Sequence, residues 1–436
     1  MKTSAERIGE RGLRLALAIS LGALAASGCG GGGSGGSGVT APLAAATAAP
    51  AATASAPSAT TATTSAAPNV ATITIDAGPA GAGGAVNMPF VSVTVCAPGS
   101  ASSCQTVDHV LVDTGSSGLR LLASVLSNRA ALTPQSRGSN GAYAECAQFA
   151  DSYAWGSVKL ADVTLAGETA PSLPVQVIGD PDFADVPTTC SSTGAATDTV
   201  ASLGANGLLG VGSFREDCGD ACVGTAVPGT YYLCTQGGGC APADIALAQQ
   251  VANPVAHFPS DNNGLSIRLP AVADGGATNV NGSLVFGIGT SSNNTLGSAR
   301  AYGLDASGNF STTFNGHLYA NSFVDSGSNF FFFNSTALSN CPNADDNTFY
   351  CPAATESLTA VNQGTNGVNG TVNFSIANAE KQFSNNPSAT AFNNIGAGFP
   401  ALEGFDWGLP FLYGRNVFMA LEGASTLAGT GPYVAY

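Results

Sequence analysis

Two short segments of the chain place an aspartate on a tight, hydroxyl-rich turn directly after apolar residues. The first, Leu-Val-Asp-Thr-Gly-Ser-Ser-Gly-Leu, covers residues 111–119, and the second, Phe-Val-Asp-Ser-Gly-Ser, covers residues 323–328. The glycines allow a sharp backbone turn, and the hydroxyl groups can hold the carboxylates in place. If the two turns face each other, their carboxyl groups share one proton, because two charges so close cannot both ionise. One group then acts as base and the other as acid, which is chemistry suited to adding water to an amide.

The candidate catalytic residues are therefore Asp113 and Asp325, which stand 212 positions apart (325 − 113). The residues expected to support the two carboxylates are Thr114, Gly115, Ser116, Ser326, Gly327 and Ser328. The competing interpretation is a pair of unrelated surface turns, since Asp-Gly turns are common. Both segments follow a valine and another apolar residue, which favours the end of a buried strand over a surface turn.

The first 28 residues have the pattern of a bacterial lipoprotein signal peptide. Basic residues precede an apolar run from Leu13 to Ala26, and small residues lead to Cys29. In such signals the cysteine is lipidated and becomes the new N-terminus, so Cys29 is the expected lipidation site. Simple secretion, with cleavage after the alanine-rich run, is the alternative. We expect an exported protein of the bacterial cell envelope, an outer-membrane lipoprotein held to the membrane by its lipid alone.

The rest of the chain divides into a tether and a large folded region. Residues 29–69 are mainly Gly, Ala, Ser, Thr and Pro, without charge or aromatic residues, which predicts a flexible tether. The remainder is long enough for two lobes, expected at residues 70–290 and 291–436. Short apolar runs broken by Gly, Asn and Pro predict a mostly β fold with few short helices. The one convincing helix covers residues 245–258. Strands are expected at residues 70–76, 90–95, 158–165, 206–212 and 282–287.

The cysteines predict disulfides. The chain has eleven, and removing Cys29 leaves an even ten in an exported protein. Close spacing predicts bridges of Cys96 with Cys104 and of Cys341 with Cys351. Four further cysteines are expected to pair among themselves: Cys218, Cys222, Cys234 and Cys240. A zinc site is the alternative for this group of four, but it lacks a nearby histidine and belongs to an oxidising compartment.

The order of the motifs resembles that of the pepsin-like aspartic peptidases over nearly all of residues 85–436. That family has an apolar pair with a DTGS turn, a flap hairpin with tyrosine, an apolar-Gly strand and a helix. A GSLxFG strand, a second DTG or DSG turn and another apolar-Gly strand follow. The corresponding segments here are residues 111–117, 153–157, 206–212, 245–258, 281–287, 323–328 and 406–420. The resemblance implies a two-lobed pepsin-like β-barrel fold, each lobe threading its aspartate turn against its own apolar-Gly strand.

The resemblance also implies roles for single residues around the two catalytic aspartates. Thr114 and Ser326 would tie the two turns together, while Ser116 and Ser328 would hydrogen-bond the carboxylates. Tyr153 is the candidate flap tyrosine that closes over substrate, with an ordinary strand aromatic as the alternative. No metal and no cofactor is implied.

Four departures from the family pattern leave the aspartate pair intact and concern the substrate pocket. Arg120 would place a cation near the cleft edge, paired with a carboxylate of the chain or of a substrate. Trp155 replaces a small hydroxyl residue in the flap, and Asp406 makes the second apolar-Gly strand polar. The phenylalanines at 330–333 are unusually bulky.

The sequence thus predicts an aspartic endopeptidase that acts on a peptide or protein as a monomer. A non-catalytic envelope binding protein on the same scaffold is the alternative, since fold does not determine function. Retention of both aspartates and their flanking hydroxyls favours the enzyme. A net charge of −15 argues against nucleic-acid binding. No Lys or Arg lies between Arg14 and Arg120, so no basic pro-segment precedes the first turn and we expect activity without further processing.

Overall fold

The computed structural model describes residues 67–235, 239–343 and 348–436. The predicted signal peptide, Cys29 and nearly all of the predicted tether lie outside these residues. Within them the fold is mostly β, with 42% strand and 11% helix, and its helices are short. The prediction of a mostly β protein with few short helices is therefore confirmed.

Fifteen strands precede residue 304 in the described part of the chain. They are β1 (Val70–Ile75), β2 (Pro89–Cys96), β3 (Cys104–Asp113), β4 (Ser117–Leu122), β5 (Thr133–Pro134), β6 (Ala142–Gln148), β7 (Ser152–Leu165), β8 (Glu168–Ile178), β9 (Ala195–Ala196), β10 (Gly207–Val211), β11 (Tyr231–Cys234), β12 (Cys240–Pro242), β13 (Gly264–Arg268), β14 (Val280–Phe286) and β15 (Ala301–Gly303). All five strands expected from the sequence overlap members of this set.

Eleven further strands and four short α-helices complete the regular structure of the described residues. The strands are β16 (Phe310–Phe314), β17 (His317–Val324), β18 (Phe331–Phe332), β19 (Glu356–Gln363), β20 (Asn369–Ile376), β21 (Gly396–Ala397), β22 (Asp406–Trp407), β23 (Asn416–Ala420), β24 (Ser425–Thr426), β25 (Gly429–Thr430) and β26 (Tyr433–Ala435). The helices are α1 (Thr188–Ser191), α2 (Val200–Leu203), α3 (Ala379–Asn385) and α4 (Leu409–Leu412). Single 3₁₀ turns lie at Ala123–Val125, Arg129–Ala131, Gly138–Asn140, Pro181–Phe183, Gly219–Cys222, Leu247–Gln249 and Pro254–His257.

The strands form one large sheet, one smaller sheet and a separate β24–β25 hairpin. The large sheet contains β1–β15 together with β23 and β26, while β16–β22 form the smaller one. β1 pairs with β14 over six residues, β13 pairs with β23, and β15 pairs with β26. Strands from both sides of residue 290 therefore share the large sheet.

The predicted helix at residues 245–258 is wrong. The structure has two separate 3₁₀ turns there, Leu247–Gln249 and Pro254–His257, joined by extended backbone. Asn253 is extended because the residue before a proline is pushed out of the helical region. Its side chain accepts a hydrogen bond from the Val255 N–H, which starts a new turn at the proline.

Every cysteine after Cys29 is in a disulfide, as the even number predicts. The predicted Cys96–Cys104 and Cys341–Cys351 bridges are both present. The group of four pairs internally, as Cys218–Cys222 and Cys234–Cys240, so none of its sulfurs is free to bind zinc. The fifth bridge is Cys146–Cys190, which ties β6 to α1.

The run of phenylalanines at 330–333 packs on both faces of β18. Phe331 and Phe333 belong to the main core, while Phe330 and Phe332 belong to a second cluster with Phe349 and other apolar residues. This alternation is the two-residue period of a strand buried on both sides. These four rings are core residues and do not line the large cavity described below.

No helix in the described ranges is both long and apolar enough to span a membrane.

Candidate active site

The first aspartate turn is positioned by β10, which passes between β3 and β4. β3 is fully buried over its last four residues, and Asp113 is its final residue. β10 runs parallel to β3, with Gly210 opposite Asp113, and antiparallel to β4 on its other side. A Cβ on Gly210 would lie 2.7 Å from the Ser116 hydroxyl, so glycine permits this close approach. The apolar-Gly strand expected at residues 206–212 thus lies directly against the first turn.

The second aspartate turn repeats this arrangement. β22 runs parallel to β17, which leads to Asp325, and antiparallel to β18. A Cβ on Gly408, just after β22, would lie 2.7 Å from the Ser328 carbonyl oxygen. The two halves of the chain therefore position their aspartates by the same local threading.

The two turns hold each other through reciprocal hydrogen bonds. The Thr114 hydroxyl donates to the Val324 carbonyl at 3.1 Å and accepts from the Ser326 N–H at 2.9 Å. The Ser326 hydroxyl donates to the Val112 carbonyl at 2.7 Å and accepts from the Thr114 N–H at 3.1 Å. Each inner hydroxyl thus bonds the backbone of the opposite turn, which fixes both the distance and the orientation of the turns.

Each carboxyl group is held by the same two donors from its own turn. These are the backbone N–H two residues later and the serine hydroxyl three residues later. The distances are 2.8 and 2.5 Å for Asp113 and 2.7 and 2.8 Å for Asp325. The structure thus brings together all eight residues of the two turns that the sequence singles out: Asp113, Thr114, Gly115, Ser116, Asp325, Ser326, Gly327 and Ser328.

The two carboxyl groups face each other in a site that excludes solvent. Both aspartates are 0% exposed. A Cβ on Gly327 would lie 2.7 Å from Asp113 Oδ1 and 3.1 Å from Asp325 Oδ1, so both groups approach the same point. Burial raises the pKa of Asp113, and burial together with the Asp113 charge raises the pKa of Asp325 well above its usual value. The pair therefore shares a proton, because the two buried carboxyl groups cannot both be ionised.

The chain matches a known protein family over residues 65–436, which includes both turns and every described element. The family is described as "Protein of unknown function (DUF3443)". The chain belongs to this family. A search of curated proteins finds no match to it.

In this DUF3443 protein, Tyr153 lies on the β6–β7 hairpin, as expected. The ring belongs to a buried cluster that contains Trp155, Tyr232 and the Cys146–Cys190 bridge. Trp155 donates its indole N–H to the Phe183 carbonyl at 2.7 Å. Among the described residues, no hydrogen bond or ring contact joins Tyr153 to either aspartate. Both aromatic side chains are therefore part of one buried cluster.

Arg120 is buried and does not lie at the edge of a cleft, so that part of the expectation is wrong, whereas the expected pairing with a carboxylate of the chain is present. Its side chain is buried, and Nη2 lies 2.5 Å from Glu145 Oε1 and 3.2 Å from Asp217 Oδ2. The Tyr231 hydroxyl donates to the other oxygen of Asp217 at 2.6 Å. Arg120 lies on β4 and Glu145 lies on β6, so the ion pair joins the hairpin strand to β4.

A cavity of about 920 Å³ opens beside the second aspartate turn. Its lining includes Asn329, which follows the DSGS segment, and the hairpin residues Asp151 and Ser152. The Asn329 amide donates to the Val86 carbonyl at 2.5 Å, which fixes one wall. Most of the lining residues are small, and apart from Asp151 they are uncharged. The space is of the size that proteins use to hold a small ligand or a few side chains.

The structure adds one residue to the site that the motifs alone do not identify. Asp406, noted in the sequence only as a polar variant, is fully buried, and its charge adds to the rise in the pKa of Asp325. The sequence signal that could have identified Asp406 is a carboxylate at a strand position where the pepsin-like pattern has an apolar residue.

Proposed function

We propose that this protein is an aspartic endopeptidase with a two-lobed, pepsin-like fold whose lobes cover residues 70–290 and 291–436. The observation that carries the proposal is the reciprocal bonding of Thr114 and Ser326. Surface turns have no need of such bonds, whereas a pair of aspartates must be held at a fixed separation to share one proton.

The shared proton gives the two aspartates different roles. The ionised member of the pair would take a proton from a water held between the carboxyl groups. The protonated member would donate its proton to the oxygen of the scissile carbonyl as the water attacks the carbon. The resulting diol would collapse as a proton passes to the leaving nitrogen. These steps use only groups of this chain and the substrate.

Access to the pair requires local opening, because both carboxyl groups are excluded from solvent. The β6–β7 hairpin is the natural moving part, since its turn lines the large cavity next to Asn329. A peptide would occupy that cavity once the hairpin lifts. Because Asp151 is the one charged residue of the lining, the cavity favours substrate segments with mostly uncharged side chains.

A digest of a peptide library between pH 3 and pH 7 tests the proposal. The full-length mature protein is used, with and without a transition-state-mimicking aspartic peptidase inhibitor. We expect cleavage that rises towards acid pH and stops with the inhibitor, without removal of any segment beyond the signal peptide. Binding of peptides without cleavage at any pH would instead favour the non-catalytic binding protein.

We also propose that the protein is a lipoprotein of the cell envelope, anchored through Cys29. Cys29→Ser is expected to move it from the membrane fraction to the soluble fraction, because the lipid is the proposed anchor. Fractionation and the intact mass of the N-terminal peptide measure this. A wild-type protein that is fully soluble, with no mass added at residue 29, would contradict the proposal.

A further inference from the structure

Three charged side chains from separate segments meet at the Arg120 guanidinium. Nη2 lies 2.5 Å from Glu145 Oε1 and 3.2 Å from Asp217 Oδ2, so both carboxyl groups contact the same nitrogen. The side chains of Arg120, Glu145 and Asp217 are 4%, 2% and 15% exposed. Arg120 lies on β4, Glu145 lies on β6, and Asp217 lies between β10 and the 3₁₀ turn at Gly219–Cys222. The cluster therefore joins two strands and a loop inside the protein.

The same guanidinium also holds the end of the first aspartate turn. Nη1 donates a hydrogen bond to the Ser117 carbonyl at 2.8 Å. Ser117 directly follows the Asp-Thr-Gly-Ser segment and begins β4. Glu145 lies within β6, opposite Gly156 of β7. Arg120 therefore connects the exit of the aspartate turn to the β6–β7 hairpin through its two nitrogens.

The charges of this cluster do not balance when both carboxyl groups are ionised. In the described part of the chain, Arg120 is the only Lys or Arg within ion-pair distance of Glu145 or Asp217. Glu145 Oε2 is buried and has no hydrogen-bond partner among the same residues. Two ionised groups would therefore leave one negative charge uncompensated in a site that is largely closed to water, which is costly. A single proton on the two carboxyl groups restores the balance.

The groups around the cluster identify the carboxyl group whose ionisation changes its charge. Burial and then the Glu145 charge raise the pKa of Asp217 well above its usual value. The Tyr231 hydroxyl bonds Asp217 Oδ1 at 2.6 Å and stays neutral, because burial raises its own pKa well above the usual value. Burial raises the pKa of Asp113, and the Arg120 charge acts against that rise. The other charged residues on the neighbouring strands and on the Asp217 loop make no ion pair with the cluster: Lys159, Asp180, Arg215, Glu216 and Asp220.

We propose that Arg120, Glu145 and Asp217 form a proton-controlled clamp between the β6–β7 hairpin and the exit of the first aspartate turn. In acid the cluster carries one proton and no net charge, so the clamp is closed. At higher pH the second carboxyl group ionises, and the unbalanced charge favours a local opening in which Asp217 reaches solvent. Asp217 is the member that leaves, because it is the most exposed of the three. The clamp does not depend on the proposed function.

Hydrogen exchange of the full-length mature protein tests the clamp without an activity assay. Asp217 has its ordinary pKa in the open state and a raised pKa in the closed state, so opening becomes more favourable as pH rises between the two values. Each unit of difference in pKa is worth about tenfold in the opening equilibrium. After correction for the intrinsic pH dependence of exchange, we expect the protection of the β6 amides to fall about tenfold or more between pH 4 and pH 7. The β19–β20 hairpin, which belongs to the smaller sheet, should keep its protection.

Two neutral replacements separate the charge imbalance from other effects of pH. Asp217→Asn should keep the protection of β6 nearly constant between pH 4 and pH 7, because an amide does not ionise. Glu145→Gln should reduce the fall, because one cation then faces one carboxyl group. The matched control is Asp274→Asn, which changes an exposed aspartate in the same chemical way and should behave as the wild type.

Several outcomes would overturn the clamp. These are constant β6 protection in the wild type, an equal fall in the β19–β20 hairpin, or the full wild-type fall in Asp217→Asn. The full wild-type fall in Glu145→Gln would show that the charge imbalance is not the cause, and this variant decides alone where Asp217→Asn does not fold. If the wild type hydrolyses no peptide, the proposed function fails, but the exchange experiment still decides the clamp.

Discussion

Asp113→Asn and Asp325→Asn are each expected to abolish peptide hydrolysis while the protein keeps its fold. An amide can neither take a proton from water nor share one with the opposite carboxyl group. Loss of such an acid–base step costs about 10²–10⁴-fold in rate. The fold should persist because the reciprocal bonds between the turns involve Thr114 and Ser326 and leave the carboxyl groups out.

The measurement is kcat/KM on a cleavable peptide at acid pH, together with a melting curve for each variant. Asp274→Asn serves as the exposed control and should match the wild type in both. Wild-type turnover in either dyad variant would refute the assignment of the catalytic pair.

Arg120→Met is expected to be the most destabilising of the single changes considered for this protein. Arg120 is buried against Glu145 and Asp217, and the substitution leaves both carboxyl groups without their cation. Removing one partner of a buried ion pair typically costs about 3–5 kcal/mol in the free energy of unfolding. Replacing the exposed Arg300 with methionine is the matched control and should have little effect.

The cost at Arg120 should depend on pH. Burial and then the Glu145 charge already raise the pKa of Asp217 well above its usual value. Loss of the cation raises it further, so the added destabilisation appears as pH rises above the pKa that Asp217 has in the folded wild type. It is lost below that pH, because Asp217 is then protonated in both folded proteins. Urea unfolding at pH 7 and pH 4 measures this, and an equal cost at both pH values would show that unpaired charge is not its cause.

Sequence patterns that depend only on neighbouring residues predict the strands, two local disulfides and the two aspartate turns of this protein correctly. Each expected strand is present because alternating or continuous apolar runs need only their own sheet to become buried. The local bridges Cys96–Cys104 and Cys341–Cys351 follow from spacing alone. The eight residues of the aspartate turns also meet as expected, since each turn is a local motif and the two motifs are copies.

Patterns that depend on distant partners could not be predicted in the same way. Arg120 was expected at a cleft edge, but one of its partners, Asp217, is 97 positions away, and no local feature indicates it. The prediction of a helix at residues 245–258 is wrong because Pro254 divides a run whose apolar content otherwise suits a helix. The position of Asp406 opposite Phe323 and Phe332 follows from the threading of β22, which becomes visible only in three dimensions.

The pairing of the last strands has a consequence for the order in which the protein can form. β1, near the start of the folded region, pairs with β14. β13 pairs with β23 and β15 pairs with β26, so these two pairs can form only after the last strands have been synthesised. The large sheet is therefore incomplete until residue 435 has been synthesised. Contacts between such distant residues form slowly, which keeps a growing chain from closing early. A chain that must cross a membrane unfolded, as the proposed export requires, would benefit from this delay.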